Sequence, residues 1–236
     1  MYYEPGVTPH GLPFDPFKSC VIPRPIGWIS TIDRDGRHNL APYSQFQNVT
    51  FNPPIVMFSG NQTTTGERKD SVRNAEETGE FVWNMATYAL RDAVNKTAEE
   101  LPHGVDEFEH AGLVKLPSRR VKPMRVAGSP IQFECIYLNT LRFPGVPPLG
   151  TADVVFGRVV AVHIDDKAID ARGMVDVLSI QPLARMGYYD YTFVDNRFEM
   201  VIGGNNKALL AGLEGSASKA ADATGTAANP AGKPAR

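Results

Sequence analysis

Residues 21–46 read VIPRPIGWISTIDRDGRHNLAPYSQF, and this stretch indicates the fold class. Residues 21–33 are mostly apolar and β-branched, and they lead into Asp35-Gly36, a dipeptide typical of tight hairpin turns. Residues 39–46 are strand-like again. The sequence therefore predicts two antiparallel strands joined by a short turn.

Short segments of the same kind follow along the chain, because 19 Pro and 21 Gly leave few runs long enough for a long helix. Further strands are expected at residues 55–59, 80–85, 130–138 and 153–164, and a last hairpin at residues 191–201 around Asp195-Asn196. The total is about seven or eight short strands.

Three helical segments are predicted between these strands. Residues 69–78 contain helix formers with Gly79 just past their end, a common place for glycine. Residues 88–100 place Leu90, Val94 and Thr97 on one stripe, and Asp106 is suited to cap a short helix that carries Phe108 and Leu113. The pattern predicts a mainly β fold with inserted helices, an open or closed antiparallel barrel rather than a doubly wound parallel sheet.

The chain divides into three parts. We expect an N-terminal arm over residues 1–16, a folded domain over residues 17–205 and an Ala/Gly-rich tail over residues 206–236. From Gly215 onward the chain has no large apolar residue, so burial cannot offset the entropy of ordering it. The tail is therefore predicted to be disordered.

Composition excludes several classes of protein. A hydrophobic content of 42% is enough to form a core, and a formal charge of −2 disfavours nucleic acid and anionic lipid as partners. The most apolar segment, residues 154–164, is interrupted by Gly157, Arg158 and His163, so we expect no membrane span. Cys20 and Cys135 are far apart and lack neighbours at ligand spacing, which predicts no disulfide framework, no metal site and a reducing cytoplasm.

Several catalytic motifs are missing from the sequence. It contains no GxSxG elbow, no GxxxxGK[ST] phosphate loop, no HExxH and no GxGxxG after a strand. Hydrolase, NTPase, zinc protease and Rossmann dehydrogenase functions therefore lose support. The histidines are not spaced as a metal set, and His163 is interpreted as a structural histidine within a strand.

Residues 59–74 (SGNQTTTGERKDSVRN) are the most informative polar segment. They leave a short strand at Ser59 and reach Lys69 and Ser71 where a helix is predicted to begin. A helix start offers free N–H groups and a positive dipole end, so it can hold a phosphate together with an ammonium and a hydroxyl. Asp70 is interpreted as the helix cap. A polar surface loop before an ordinary helix is the alternative.

Two other clusters have a functional and a structural interpretation. In residues 39–48 the hydrogen-bonding side chains alternate with Tyr43 and Phe46, which suits a planar heterocycle but equally suits a strand with one face in water. Residues 118–125 (SRRVKPMR) carry four cations, enough for a phosphate-rich ligand or simply for a solvated loop.

An ordered set of motifs resembles the flavin reductase-like family, in its flavoredoxin and nitrilotriacetate-monooxygenase-reductase branch. The motifs are PRPIGWIST (23–31), NLAPYS (39–44), NPPIVMFS (52–59), KDSVRN (69–74), EETGEFVWN (76–84), GVDEFEHAGL (104–113), SPIQFEC (129–135) and VFGRVVAVH (155–163). Together they cover most of residues 17–200.

The resemblance implies a split β-barrel that binds FMN, usually as a homodimer with each flavin near the subunit interface. In such proteins the segment that corresponds to Lys69, Asp70 and Ser71 lies by the flavin phosphate. By the same resemblance, the candidates for the ribityl chain and the ring are Arg24, Trp28, Thr31, Tyr43, Ser44, Gln45, Asn48 and Ser59, with Arg185 in a late segment.

The implied function is an FMN-dependent NAD(P)H:flavin oxidoreductase that supplies reduced flavin to a monooxygenase or another acceptor, with NADH or NADPH as hydride donor. Hydride transfer is the chemistry of the cofactor, so no catalytic acid, base or nucleophile is assigned. Three alternatives stay open: a flavoredoxin-like electron carrier, a flavin enzyme that acts directly on an organic substrate, and a barrel without enzymatic activity.

Overall fold

The computed structural model describes residues 1–63, 65–146 and 150–200. Met1–Asn196 form one compact unit, and a second unit begins at Arg197. The tail predicted for residues 206–236 lies outside the described residues. The strands are β1 (Arg24–Pro25), β2 (Gly27–Ile32), β3 (His38–Tyr43), β4 (Phe46–Phe51), β5 (Pro54–Asn61), β6 (Glu80–Met85), β7 (Lys115–Leu116), β8 (Arg125–Val126), β9 (Ile131–Phe143), β10 (Ala152–Ile164), β11 (Leu183–Arg185) and β12 (Tyr191–Phe193).

The helices are short and lie between the strands. They are α1 (Asp70–Thr78), α2 (Arg91–Lys96), α3 (Glu107–His110) and α4 (Val177–Ile180), with single 3-10 turns at Phe17–Ser19, Tyr88–Leu90 and Asp166–Ala168. The fold is therefore mainly β with inserted helices, as predicted.

One seven-stranded antiparallel sheet forms the body of the molecule, in the order β3-β2-β6-β9-β10-β5-β4. Its two edge strands, β3 and β4, are consecutive in the chain and are joined by Ser44 and Gln45 alone. The sheet must therefore curl until its edges meet. The backbone N–H of Ser59 donates to the carbonyl of Gln45 at 2.8 Å, which ties β5 to this connection. The result is a split barrel.

Two apolar clusters lie on opposite faces of β2. Ile29 belongs to a cluster with Phe58, Phe81 and residues of neighbouring strands, whereas Trp28 belongs to a second cluster with helix residues such as Phe108. Successive side chains of a strand point to opposite faces, so β2 is covered on both. This explains why residues 26–31 are buried without interruption.

Helix α1 connects β5 to β6 and packs against the barrel. Its buried residues Val72 and Ala75 join the same cluster as Ile29. The helix ends at Gly79, whose φ of 78° is in the left-handed region that glycine adopts without strain. The predicted helix, including the position of its terminal glycine, is confirmed.

The cap predicted at Asp106 is also confirmed. Its carboxylate accepts hydrogen bonds from the N–H groups of Phe108 (2.9 Å) and Glu109 (3.4 Å) at the start of α3. Phe108 is fully buried in the second cluster. This short helix thus anchors the segment after residue 103 to the body of the fold.

Several predicted elements differ from the structure. The second strand, expected over residues 39–46, ends at Tyr43, and Phe46 begins β4. Residues 21–33 form two strands, because Pro25 has no N–H to continue the ladder and β1 pairs instead with β11 in a three-stranded sheet, β1-β11-β12. The helix predicted over residues 88–100 is a 3-10 turn followed by α2, which ends at Lys96. Among the described residues the last hairpin joins β11 and β12, so placing it around Asp195-Asn196 was wrong.

Candidate functional site

An open cleft of about 350 Å³ lies where α1 begins. We call it the α1 cleft. One wall is the segment that leads into the helix, residues 63 and 65–70, and the other is residues 97–103, with β3 between them. The residues that line it are Asn39, Ala41, Pro42, Tyr43, Thr63, Thr65, Glu67, Arg68, Lys69, Asp70, Thr97, Ala98, Glu99, Glu100, Leu101, Pro102, His103 and Glu107.

The helix start opens into this cleft. Lys69 is the N-cap residue, with extended backbone angles (φ −61°, ψ 139°) and no capping hydrogen bond from its side chain. The N–H groups of Asp70 and Ser71 have no acceptor among the described residues, as expected for the first turn of a helix. The sequence predicted backbone donors, the Lys69 ammonium and the Ser71 hydroxyl at this place; Lys69 and Asp70 line the cleft, whereas Ser71 is fully buried.

The interpretation of Asp70 as the helix cap was wrong. Asp70 is the first residue inside α1, and its carboxylate contacts the guanidinium of Arg73 and the Nδ1 of His103, the latter at 2.9 Å. A cap residue needs an extended backbone and a side chain turned back to the N–H groups. Asp70 has neither, although an acidic residue in the first turn still suits the helix dipole.

Acidic side chains outnumber cations around the cleft. Five carboxylates line it, those of Glu67, Asp70, Glu99, Glu100 and Glu107, against the cations Arg68 and Lys69 and the imidazole of His103. Each cation has a protein partner: Lys69 lies 3.7 Å from Glu100, and Arg68 contacts Glu76 and Asp153. An anionic ligand must therefore exchange with a carboxylate here.

Tyr43, Ser71 and Asn39 form a hydrogen-bonded group beneath the helix start. The amide nitrogen of Asn39 donates to the Ser71 hydroxyl at 2.8 Å, and the Tyr43 phenol is hydrogen-bonded to the same hydroxyl. Burial raises the pKa of Tyr43 far above its ordinary value, so the phenol stays neutral. Because the Ser71 side chain is fully buried, it positions Tyr43 and Asn39 rather than facing the cleft.

Glu107 lies at the back of the cleft and is 9% exposed. Burial raises its pKa above the ordinary value, and the N–H of Leu40, which donates to Oε2 at 2.9 Å, opposes that shift. The carboxyl of Glu107 therefore binds a proton more readily than an exposed glutamate does.

The second wall of the cleft could not be found from the sequence. Thr97 accepts a hydrogen bond from the indole nitrogen of Trp28 at 2.9 Å, and His103 contacts Asp70. These pairs are separated by 69 and 33 residues, so no local pattern indicates them. Trp28 itself is fully buried and does not line the cleft.

Thr31 is a further predicted residue with a fully buried side chain. Its hydroxyl accepts a hydrogen bond at 3.1 Å from the side-chain nitrogen of Asn74 in α1. Thr31 thus holds the helix against β2, below the helix start. For Trp28 and Thr31 the structure shows contacts within the protein, and their role as flavin ligands stays a prediction.

Four predicted residues lie around the connection between β3 and β4. Ser44 and Gln45 form that connection, Ser59 lies on β5 and donates its N–H to Gln45, and the exposed Asn48 lies on β4 opposite Val56. None of them lines the α1 cleft. The adjoining residue Tyr43, at the end of β3, does line it and therefore links the two groups.

Arg24 and Arg185 form a third group. They are register partners in the pairing of β1 with β11. Arg24 donates to the carbonyl of Val21 at 2.7 Å, and Arg185 donates to the Tyr191 hydroxyl at 2.6 Å. The structure therefore distributes the twelve predicted residues over several places, and three of them, Tyr43, Lys69 and Asp70, line the α1 cleft.

The basic run, residues 118–125, is anchored to the sheet. The N–H groups of Arg119, Arg120 and Val121 donate to the buried carboxylate of Glu134 at 2.9, 2.6 and 3.2 Å. The same carboxylate accepts a hydrogen bond from His163 on β10, with Nε2 at 2.5 Å from Oε1. His163 is thus a structural histidine of a strand, as predicted.

The described residues lack two kinds of structural feature. They contain no group of three or more His, Cys, Asp and Glu side chains arranged to hold a metal ion. None of the helices among residues 1–63, 65–146 and 150–200 is long and apolar enough to cross a membrane.

The chain is similar to proteins of one family. Residues 19–194 match the model of the flavin reductase like domain. An uncharacterized protein of Aquifex aeolicus (strain VF5) is 36% identical over 175 residues, which is 73% of this chain and 86% of the relative. Nitrilotriacetate monooxygenase component B from Bacillus cereus superimposes with a TM-score of 0.77 and 29% identity, covering 85% of this chain and 98% of the other.

A third similarity concerns the fold alone. Flavoredoxin of Desulfovibrio vulgaris (Miyazaki F) superimposes with a TM-score of 0.66 at 18% identity, covering 76% of this chain and 91% of that chain. The sheet order, the cleft at the start of α1 and these similarities define a split-barrel protein of the flavin reductase type. The chain belongs to the flavin reductase-like family.

Proposed function

We propose that this protein is an FMN-dependent oxidoreductase and that the α1 cleft holds the flavin phosphate. The observation that supports this most is the helix start, where Lys69, the N-cap residue, and Asp70, whose N–H has no acceptor among the described residues, both line the cleft. Backbone donors, a positive dipole end and a cation together suit a phosphate dianion. Membership of the family supports flavin as the ligand that carries this phosphate.

The hydrogen-bond donors of the cleft fit a phosphate once Lys69 exchanges Glu100 for that ligand. Its contact with Glu100 is long, and the two side chains are 32% and 42% exposed, so the pair contributes little to stability. Thr63 and Thr65 add hydroxyl groups on the same wall. The remaining carboxylates favour a ligand with a single phosphate over one with several.

The rest of the flavin is proposed to contact the other predicted residues. Tyr43 leads from the α1 cleft to the connection between β3 and β4, so the ribityl chain and ring are assigned to the residues around that connection. They are Tyr43, Ser44, Gln45, Asn48 and Ser59, with Arg24, Trp28, Thr31 and Arg185 as further candidates.

A bound flavin would supply the redox chemistry, because it accepts a hydride from NADH or NADPH. The chain needs only to bind, orient and exclude water. The neutral Tyr43 phenol can donate a hydrogen bond without changing its proton, and side-chain amides such as those of Gln45 and Asn48 can donate to a ring edge where negative charge develops. No side chain has to act as an acid or a base.

The acceptor of the reduced flavin is proposed to be a monooxygenase or another electron-accepting partner. The support is the 29% identity to nitrilotriacetate monooxygenase component B over 98% of that chain. The protein is proposed to work in the cytoplasm, a reducing compartment that suits its two free thiols, Cys20 and Cys135.

A homodimer is part of the proposal. Apolar side chains are exposed on the edge strand β4 and on the paired strands β9 and β10, which β5 separates from β4, and large exposed apolar areas often mark interfaces. The residues are Val49 (52%), Phe51 (71%), Leu138 (44%), Leu141 (46%), Phe143 (53%) and Val162 (53%). Sedimentation of the purified protein tests this part, and a monomer at all concentrations contradicts it.

The deciding experiment has two steps. Purified protein is titrated with FMN and with riboflavin, which lacks the phosphate, and tighter binding of FMN is expected. NADH and NADPH are then added separately without oxygen, and loss of flavin absorbance shows hydride transfer. Binding without reduction by either nucleotide supports an electron carrier, and failure to bind any flavin refutes the proposed function.

A further inference from the structure

A second pocket of about 350 Å³ lies between α2 and the β11–β12 hairpin. We call it the aromatic pocket. It is lined by Tyr88, Arg91, Asp92, Val94, Asn95, Leu183, Tyr189, Tyr191, Thr192 and Phe193. None of these residues lines the α1 cleft, and none was assigned to the flavin above.

The floor and walls of this pocket are apolar and aromatic. Val94 (3% exposed) and Leu183 (7%) close its base, and the rings of Tyr88 and Phe193 pack with their centroids 4.3 Å apart at an angle of 33°. Tyr191 and Tyr189 add two exposed rings. A pocket of this size with flat aromatic faces suits a planar aromatic molecule, which stacks on such rings.

One cation is held beside these rings. The Arg91 guanidinium lies 4.3 Å from the centroid of the Tyr88 ring, and its Nη1 donates to the Tyr88 carbonyl at 2.9 Å. This fixes the plane of the guanidinium. Its Nη2 lies 3.8 Å from the carboxylate of Asp92, too far for a hydrogen bond, and Asp92 is 91% exposed. The outer N–H groups of Arg91 therefore keep donor capacity for an anion.

Two uncharged polar side chains complete the lining. The amide of Asn95 has no hydrogen-bond partner within the described part of the chain, and the hydroxyl of Thr192 makes only a long contact of 3.5 Å to the Phe193 carbonyl. A planar guanidinium matches a carboxylate with two parallel hydrogen bonds. An amide and a hydroxyl nearby can complete the coordination of such an anion.

We propose that the aromatic pocket binds a small planar aromatic carboxylate, with the ring against Phe193 and Tyr191 and the carboxylate on Arg91. This inference does not depend on the proposed function. It requires neither flavin nor nicotinamide, and it assigns no reaction to the pocket.

The test uses three probes on the full chain, titrated by ligand-observed NMR. Benzoate carries both features, benzyl alcohol keeps the ring without the charge, and cyclohexanecarboxylate keeps the charge without the aromatic plane. Benzoate is expected to bind about tenfold more tightly than either, because it alone combines stacking with charge-assisted hydrogen bonds. Equal affinity for benzoate and benzyl alcohol would overturn the role of Arg91.

Three variants test whether benzoate binds in the aromatic pocket. Arg91→Gln is expected to lower benzoate affinity about tenfold and to leave benzyl alcohol within twofold. Phe193→Leu keeps apolar volume but removes a ring, so it should weaken both. The matched control is Arg34→Gln, an arginine whose side chain is 72% exposed and paired with Glu77 away from this pocket. Circular dichroism melting verifies that each variant is folded.

Two further outcomes distinguish this proposal from benzoate binding in the flavin site and from coverage of the pocket by a second copy of the chain. Benzoate affinity should be the same with and without FMN, and competition between them would place benzoate in the flavin site and refute the inference. If no probe binds and Arg91→Glu changes the sedimentation coefficient, the pocket is covered by a second copy of the chain, and the inference is likewise refuted.

Discussion

The ammonium nitrogen of Lys69 lies 3.7 Å from Oε2 of Glu100, and this contact joins the two walls of the α1 cleft. Lys69 belongs to the segment that starts α1, and Glu100 belongs to the segment after α2. A phosphate at the helix start would compete with Glu100 for the same ammonium. Lys69 is therefore expected to raise the affinity for the flavin phosphate, and Glu100 is expected to lower it.

Replacing Lys69 with Ala is expected to weaken FMN binding by about 1.5–3 kcal/mol, the value of a charge-assisted hydrogen bond. Riboflavin affinity should stay unchanged, since riboflavin has no phosphate. Quenching of flavin fluorescence measures both constants. Lys122→Ala is the control, because Lys122 is exposed and anchored through its backbone N–H to Glu80. Equal losses for FMN and riboflavin would contradict a phosphate contact.

Replacing Glu100 with Gln should have the opposite effect. It removes one of the five carboxylates of the cleft and leaves Lys69 to the ligand, so FMN affinity should rise by up to about 1 kcal/mol, the usual limit for an exposed ion pair. The gain should shrink in high salt, which screens exposed charges. An affinity that falls in E100Q would show that Glu100 supports the ligand instead.

Thr97 is expected to hold the second wall of the cleft in place. Its hydroxyl accepts from the Trp28 indole at 2.9 Å and donates to the Val94 carbonyl at 3.0 Å, all within the buried interior. Thr97→Val keeps the shape but leaves the indole N–H without an acceptor, at a cost of about 1–3 kcal/mol. Urea unfolding measures this. Thr97→Ser retains the hydroxyl, and a loss as large as that of Thr97→Val would exclude the hydrogen bond as the cause.

Local signals in the sequence predicted the start of α1 near Lys69 and its end at Gly79 correctly, although they assigned the cap to Asp70 instead of Lys69. Gly79 and Asp106 mark helix ends through their own backbone and side-chain chemistry, so they could be recognised without a partner. The same holds for the turn that follows Asp33 and precedes β3, where Gly36 adopts a left-handed φ of 85°. The prediction that Lys69 and Ser71 lie at a helix start also depended on local signals of this kind.

Contacts between distant segments could not be predicted in this way. The wall formed by residues 97–103 is held opposite Lys69 by contacts of this kind, such as those of Trp28 with Thr97 and of Asp70 with His103. The aromatic pocket brings together residues 88–95 and 183–193, none of which forms a motif. The last hairpin was misplaced because Asp195-Asn196 resembles a turn, whereas the N–H of Asp190 closes the turn on the Gly187 carbonyl at 2.8 Å.

Gly157 on β10 is expected to tolerate no side chain. A Cβ at this position would lie 2.3 Å from two ring carbons of Phe81 and 3.3 Å from the Cβ of Cys135, all fully buried. Gly157→Ala should therefore cost about 1–3 kcal/mol through overpacking. Thermal melting measures this. Adding Phe81→Leu, which removes the obstructing ring edge, should recover part of the loss in the double variant, and a strictly additive result would contradict the clash.

Glu134 is expected to make the stability of the fold depend on acid pH. Burial opposes its ionisation, but the N–H of Arg119, the imidazole of His163 and the N–H of Arg120 together hold the pKa of the carboxyl below its ordinary value of 4.5. A carboxylate with a lowered pKa contributes stability that is present above pH 4.5 and is lost as the pH falls through its folded value.

Glu134→Gln removes that charge and should lower the free energy of unfolding by about 1.5–3 kcal/mol at pH 7. The difference between the variant and the native chain should shrink as the pH falls below 4.5, because the native carboxyl then also becomes neutral. Denaturant unfolding at several pH values measures this. Glu77→Gln, at a glutamate with 40% of its side chain exposed, should show no comparable trend. A difference that stays constant into strong acid would mean that the loop over residues 118–125 is held by packing and not by the ionised carboxylate.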